Sequence, residues 1–308
     1  WGRRDYAGAE AQLVKVIAIV PDYADAWYTR ALVARRDGRF AQAVAYFEHA
    51  LSIDPANVDI ILELSNTLEG MGRYAEVEAL YARKASWAKD LSLNRPENYW
   101  MRGDLENAWR ALDGPNEFFP VLPFRIALAS GDPSRIARAL SPEFWPENLR
   151  SSPEYPELYA LAQAESLLES GQPAKEVLDA IRARLDQADL PYPAGWAGSG
   201  AYNYFPCDLP GMMGDLAGVQ AAEKDFFENA PKDAWNEVNV RLALAGAFAR
   251  AGAPERALDH LEWVIERSGP LVVPSLQVTP AFRSLSETPR YRALVARYEQ
   301  ARGNPAPG

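Results

Sequence analysis

The sequence has few of the side chains that metal sites and disulfides require. Among 308 residues there are one cysteine, Cys207, and two histidines, His49 and His260. A single cysteine excludes an internal disulfide and a cysteine-based metal cluster. The histidines fall on the second helices of two distant predicted hairpins, and we expect both to lie on helix surfaces. We predict no metal site and no cofactor, and we predict that Cys207 is a buried or partly buried structural thiol.

Long apolar runs and catalytic motifs are missing as well. No segment approaches the roughly eighteen apolar residues of a membrane span, and the N-terminal WGRRDYAGAE lacks the apolar core of a signal peptide. The sequence contains no phosphate-binding loop, no Gly-x-Ser-x-Gly and no His-Glu-x-x-His motif. We therefore expect neither membrane contact nor enzymatic activity. Because the first residue is not methionine, we also expect the sequence to be part of a longer protein.

Positive charge is scarce, since 32 Lys and Arg oppose 42 Asp and Glu, for a net charge of −10. An acidic surface repels phosphate backbones, so direct nucleic-acid binding is not expected. The first fifty residues are the exception, with seven Lys and Arg against six Asp and Glu. Arg30, Arg35, Arg36 and Arg39 make this end the most favourable one for an acidic partner, although solvated helix charges are the simpler interpretation.

The sequence contains an internal repeat with a 34-residue step. Apolar residues recur at helical spacing on both sides of a DGRF turn, and an Asp-Pro pair ends the helix that follows this turn. Each unit is therefore predicted to be a helical hairpin whose apolar face is covered by its neighbours. The matched positions are Gly38 and Gly72; Ala9, Ala43 and Val77; Leu13, Phe47 and Tyr81; and Pro21 and Pro55.

This unit resembles the tetratricopeptide repeat. The signature positions of that family carry Trp27, Ala31, Gly38, Ala43, Phe47, Ala50 and Pro55, whereas Arg30 departs from the usual leucine. The resemblance implies an all-α, right-handed superhelical array of helix-turn-helix repeats, with about eight hairpins and a C-terminal capping helix. Beyond residue 85 the step loosens, but a glycine turn is still followed by a small or apolar residue, at Gly103, Gly131, Gly171, Gly214 and Gly252.

We predict that residues 1–308 form one such array, with regular repeats over 1–90 and divergent hairpins over 91–190. An irregular Gly/Pro/aromatic hairpin covers 191–218, a regular hairpin covers 219–270, and a cap and tail cover 271–308. In the irregular part, Pro206 and Pro210 would shorten or kink the first helix. Two interpretations of its aromatic residues stay open, namely that they fill a broken helix or that they line a ligand pocket. These residues are Trp196, Tyr202, Tyr204 and Phe205.

In the family, outward positions of each first helix line the concave surface that binds partners. The resemblance therefore implies a site for a protein or peptide partner at Tyr28, Leu32, Arg35, Arg36, Asn66 and Glu69. Some members grip a terminal carboxylate with lysines and asparagines at such positions. Only Asn66 fits that pattern, so this specificity is not expected.

The C-terminal segment VTPAFRSLSETPRYRALVARYEQ has two Thr-Pro helix starts. Its run PAFRSLSETPRYRALVARY resembles the segment that closes such arrays in bacterial signalling proteins. Those proteins include membrane-tethered winged-helix regulators and adenylate cyclases. We therefore expect a protein-interaction scaffold, the sensory or partner-binding region of a larger bacterial protein with an upstream effector domain, in the cytoplasm or the periplasm. A small-molecule sensor and a structural oligomerisation module are the alternatives. The apolar face of Leu13, Val16, Ile17 and Val20 would support homo-oligomerisation.

Overall fold

The structure is a computed structural model that describes residues 5–83, 96, 99–100, 103–112, 114, 121–146, 157–188, 206–229, 233–268 and 273–303. Every regular element in these ranges is helical, which confirms the predicted all-α class. The chain divides into two compact units, one of residues 1–95 with 231–238, the other of 96–230 with 239–308. The single array predicted over 1–308 stays a prediction. No helix of the described ranges is long and apolar enough to cross a membrane.

The described helices of the first unit follow one another as helical hairpins. The glycine turns at Gly38 and Gly72 separate the two helices of each regular hairpin, and Ala43 and Phe47 are completely buried where the first hairpin closes. The small side chain of Ala43 allows the two helices of this hairpin to approach closely. The helices are α1 (Tyr6–Ile19), α2 (Ala24–Arg36), α3 (Phe40–Ile53), α4 (Val58–Gly70) and α5 (Tyr74–Arg83).

The second unit continues with shorter and more variable helices. Helix α13 (Ala234–Arg250) is divided between the units, because residues 234–238 belong to the first unit and residues 239–250 to the second. The α-helices are α6 (Leu105–Arg110), α7 (Leu122–Ser130), α8 (Pro133–Ala139), α9 (Leu158–Glu169), α10 (Lys175–Ala188), α11 (Asp208–Met212), α12 (Leu216–Asn229), α13 (Ala234–Arg250), α14 (Pro254–Ser268), α15 (Val273–Val278) and α16 (Pro289–Gly303). A 3₁₀ helix, Pro280–Leu285, precedes α16.

The predicted glycine turns are confirmed in both units. All seven glycines have φ between 67° and 81°, a left-handed conformation that glycine adopts without steric cost at a helix end. They are Gly38, Gly72, Gly103, Gly131, Gly171, Gly214 and Gly252. Five positions after five of these turns the residue is completely buried, at Ala43, Val77, Ala108, Val219 and Ala257. The turn therefore sets which residue of the second helix enters the core.

The irregular hairpin has the short first helix that its prolines predict. Helix α11 has five residues, includes Pro210, and ends before the turn at Gly214. Cys207 precedes it and is completely buried, and burial raises the pKa of its thiol well above the usual value. This confirms a structural thiol, because a buried thiol is seldom ionised. Residues 189–205, which include Trp196, Tyr202, Tyr204 and Phe205, lie outside the described residues.

The two Thr-Pro pairs both begin helices, as predicted. The proline of the first pair opens the 3₁₀ helix, and the proline of the second opens α16. On α16, Tyr291 and Leu294 are buried and Val295 is half-buried, whereas the side chain of Tyr298 lies outside the described residues. This helix therefore presents an apolar face to its own unit, as a capping helix requires.

Candidate protein-binding site

The six predicted partner-binding residues lie on the two first helices of the regular hairpins. Helix α2 carries Tyr28, Leu32, Arg35 and Arg36, and helix α4 carries Asn66 and Glu69. We call this surface the α2–α4 face. Leu32, Arg35 and Glu69 are buried, and the other three are half-buried. Their role in binding a partner stays a prediction, and the degree of burial shows that other groups already cover part of the face.

Arg35 is the fixed cation of the α2–α4 face. Its guanidinium lies 2.7 Å from a carboxylate oxygen of Glu63 on α4 and donates to the hydroxyl of Thr67 at 3.2 Å. Burial lowers the pKa of Arg35, and the neighbouring Arg36 acts in the same direction, while Glu63 opposes both. An arginine held by two partners on α4 has few rotamers left, so it offers a preorganised positive charge.

Tyr28 lies beside Arg35 on the same face. Its ring packs against Phe47 with the ring centroids 5.9 Å apart. Burial raises the pKa of its hydroxyl, and the carboxylates of Glu63 and Asp59 raise it further. The α2–α4 face therefore combines a neutral phenol, acidic groups of α4 and the two arginines of α2, which suits polar recognition of a polypeptide.

A segment of the chain itself covers part of this face. Asp233, which is 197 residues away in sequence, forms an ion pair with Arg36, and its carboxylate is only 1% exposed. The indole ring of Trp235 lies 4.4 Å from the guanidinium carbon of Arg35. Trp235 also approaches Gly70, where an added Cβ would come within 2.9 Å of the ring. One short segment, residues 233–235, therefore contacts both Arg35 and Arg36.

The local sequence explains why Asp233 and Trp235 are presented together. Asp233 caps α13, because its carboxylate accepts from the backbone N–H groups of Trp235 and Asn236 at 3.1 Å each. The same Asp-Ala-Trp triplet occurs at the start of α2, from Asp25. The sequence signal therefore marks a helix start, and nothing in it indicates that this helix start meets α2 and α4. Sequence reasoning missed the contact for that reason.

A buried ionic network in the second unit was also missed. Glu165 on α9 is fully buried between Arg125 of α7 and Arg250 of α13, and Arg250 also lies 3.3 Å from Glu169. Arg283 reaches Glu169 from the 3₁₀ helix at 3.2 Å. Each carboxylate is matched by arginines from other helices, so the network ties four elements together. Its members are spread over more than 150 residues, and no local pattern announces them.

The prediction for one of the histidines is wrong. His49 is exposed on α3, as expected, but His260 on α14 is only 2% exposed. Its Nε2 lies 3.0 Å from Glu223 and its Nδ1 lies 3.4 Å from Arg241, while its ring stacks on Phe248. Burial, helped by Arg241 and Arg256 and opposed by Glu223, lowers the pKa of His260 to about 4. The imidazole is therefore neutral at pH 7 and structural.

Metal-ligating side chains do not gather elsewhere in the part of the chain that the structure describes. Within those ranges no group of three or more His, Cys, Asp and Glu could hold a metal ion. The buried cysteine and the buried neutral histidine belong to separate local environments, at α11 and α14. The α2–α4 face is thus the candidate site that the described residues support best.

Comparison with known families agrees with the repeat. The model of the tetratricopeptide repeat family matches residues 34–90, which run from the end of α2 through α5. This match supports a tetratricopeptide repeat protein. Repeats of this family generally mediate protein–protein interactions, and the family is typically a non-enzymatic scaffold. No curated protein matches the chain.

Proposed function

We propose that this chain is a protein-interaction region that binds its partner on the α2–α4 face. One observation carries the proposal, namely that this face already holds a polypeptide segment through the Arg36–Asp233 ion pair and the Arg35–Trp235 contact. A charge-assisted hydrogen bond and a cation–π contact are both strong enough to select a ligand. The six side chains proposed to contact the partner are Tyr28, Leu32, Arg35, Arg36, Asn66 and Glu69.

The wider context of this proposal is a larger bacterial signalling or regulatory protein, in which this region senses or binds the partner. The resemblance of the C-terminal run to segments that close arrays in bacterial regulators supports it. A single interaction region of this kind would convert partner binding into a change at an effector domain. The source gene, read upstream of Trp1, tests this part of the proposal, because an effector domain is expected there.

A site-specific photo-crosslinker tests the binding site. We would place benzoylphenylalanine at position 28, where it replaces the half-buried tyrosine, and separately at Ala45, which is exposed on α3. Expressed in its native cells, the protein with the probe at 28 is expected to give a discrete adduct that mass spectrometry identifies. The probe at 45 is expected to give none, because it lies on the second helix of the hairpin.

The adduct should disappear when Arg35 and Arg36 are replaced by alanine and persist when Arg73 is replaced. Arg73 is a matched surface arginine that pairs with Glu76 at the start of α5. Equal crosslinking from positions 28 and 45, or an adduct that survives loss of both α2 arginines, would contradict the assignment of the α2–α4 face.

Homo-oligomerisation is the second candidate function, and the surface of α1 favours it. Val14, Val16, Ile19 and Val20 are 45%, 39%, 81% and 49% exposed, and α1 has no buried residue. Covering each side chain would stabilise an assembly by up to about 1.5–3 kcal/mol. Light scattering is expected to show a dimer that Ile19→Asp dissociates, whereas a monomer at all concentrations would refute this function.

A further inference from the structure

We infer that the α2–α4 face recognises an Asp-x-Trp segment, an aspartate followed two residues later by a tryptophan at a helix start. Residues 233–235 are the built-in copy of that segment, and an external partner carrying the same pair binds by displacing it. This inference rests on the proposed function, because it names the chemistry of the partner that the face takes. It is drawn from the two contacts of Asp233 and Trp235 and from the shape of the face around them.

The carboxylate position is a built site for one negative charge. The Asp233 side chain is almost fully buried, and a buried carboxylate is tolerated only when it is paired and hydrogen-bonded. Arg36 supplies the positive charge from one side. The segment itself supplies two more donors, the backbone N–H groups of Trp235 and Asn236, each 3.1 Å from the other carboxylate oxygen. A ligand that lacks the acid would leave Arg36 without this partner.

The aromatic position selects a large flat ring. Arg35 is held from behind by Glu63 and Thr67, so its guanidinium is fixed where it meets the Trp235 ring. On α4 the ring lies against Gly70, where any side chain would clash with it. Glycine near a helix end has a cost in helix propensity, and close approach of the indole gives a reason for it here. Tryptophan is also the best cation–π partner among the aromatic residues.

The face remains open to exchange. Trp235 is half-buried and the side chain of Arg36 is 31% exposed, so both of these side chains reach solvent even though the carboxylate of Asp233 is covered. The built-in segment competes at the high effective concentration that a covalent connection gives. An external segment of equal intrinsic affinity therefore binds the wild-type chain weakly, in proportion to the small fraction of molecules whose face is vacant. Weakening the built-in segment should raise the apparent affinity of the external one.

A peptide titration tests this competition. The probe is a fluorescein-labelled decapeptide with the sequence of residues 231–240, PKDAWNEVNV. Fluorescence anisotropy is measured with the full chain and with Trp235→Ala. The variant is expected to bind the peptide about tenfold or more tightly than the wild type does, because its own competitor is weakened. Peptides with the aspartate changed to asparagine, or the tryptophan to alanine, should bind neither chain.

Further variants keep the test decisive. Asp233→Asn also weakens the built-in segment and should also raise the affinity of the chain for the peptide. This variant replaces Trp235→Ala in the test if circular dichroism shows that Trp235→Ala does not fold. Adding Arg36→Ala to Trp235→Ala should abolish binding, whereas adding Arg73→Ala should leave it unchanged. Failure of the peptide to bind either weakened variant while folded would overturn the inference. So would equal affinity of the peptide for the wild type and the weakened variants.

The test separates this inference from the proposed function. If the position-28 crosslink persists and requires Arg35 and Arg36, but the peptide never binds or competes with it, then the face binds proteins of another chemistry. In that case the Asp-x-Trp assignment fails and the interaction site stands. If both the crosslink and the peptide binding are absent, the proposed function fails together with the inference.

Discussion

Mild acid should destabilise the second unit through His260. The folded protein holds this imidazole neutral with a pKa of about 4, whereas an unfolded histidine titrates near 6.5. Between these values the unfolded chain binds the extra proton, so the free energy of unfolding falls as the pH falls. At about 1.4 kcal/mol for each pH unit, the loss from pH 7 to pH 5 is about 2 kcal/mol. Urea unfolding at the two pH values measures it.

The loss of stability between pH 7 and pH 5 is not expected to come from a carboxylate such as Asp215. The N–H of Gly218 and the side chain of Arg182 hold the pKa of Asp215 below its usual value, so its contribution is lost only at lower pH. In His260→Gln, the free energy of unfolding should change by about 2 kcal/mol less between pH 7 and pH 5 than in the wild type. An unchanged slope in His260→Gln would show that another group is responsible and would refute the neutral buried imidazole.

Four substitutions test the packing and the buried ionic network. Ala43→Leu should cost about 1–3 kcal/mol in thermal unfolding, since it overfills the closed hairpin of α2 and α3; a wild-type melting temperature would refute that register. Gly211→Ala places a Cβ 2.6 Å from the Ala247 backbone and should cost a similar amount, whereas Gly246→Ala meets only ordinary contacts and should stabilise its helix by about 0.4–1 kcal/mol. Glu165→Gln should cost up to about 3–5 kcal/mol in urea unfolding, because it removes the charge of the fully buried carboxylate that pairs with both Arg125 and Arg250; near-neutral stability would contradict the network.

The local parts of the fold could be predicted because each follows from a short pattern. A glycine with positive φ, such as Gly214, can end a helix whatever the neighbouring residues are. The residue five positions later, such as Val219, then enters the core by helical geometry alone. The prolines around α11 shorten that helix for an equally local reason.

The contacts that fill the candidate site could not be predicted, because they join distant parts of the chain. Arg36 lies on a predicted partner-binding position, but its partner Asp233 is separated from it by 197 residues and caps a helix of its own. His260 was misplaced for a related reason. On the same helix, the apolar residues Leu261 and Val264 are completely buried. The burial of His260 beside them depends on polar partners from other helices, Glu223 and Arg241.

A charge reversal tests the central claim most directly. In the Trp235→Ala chain, Arg36→Asp should abolish binding of the PKDAWNEVNV peptide, because it puts two carboxylates in one site. A peptide with its aspartate changed to lysine should then bind this variant and fail to bind the parent with Arg36. That exchange of specificity, measured by anisotropy on folded proteins, is the result we predict. Binding of the original peptide that survives Arg36→Asp would show that the α2–α4 face does not hold its ligand through Arg36.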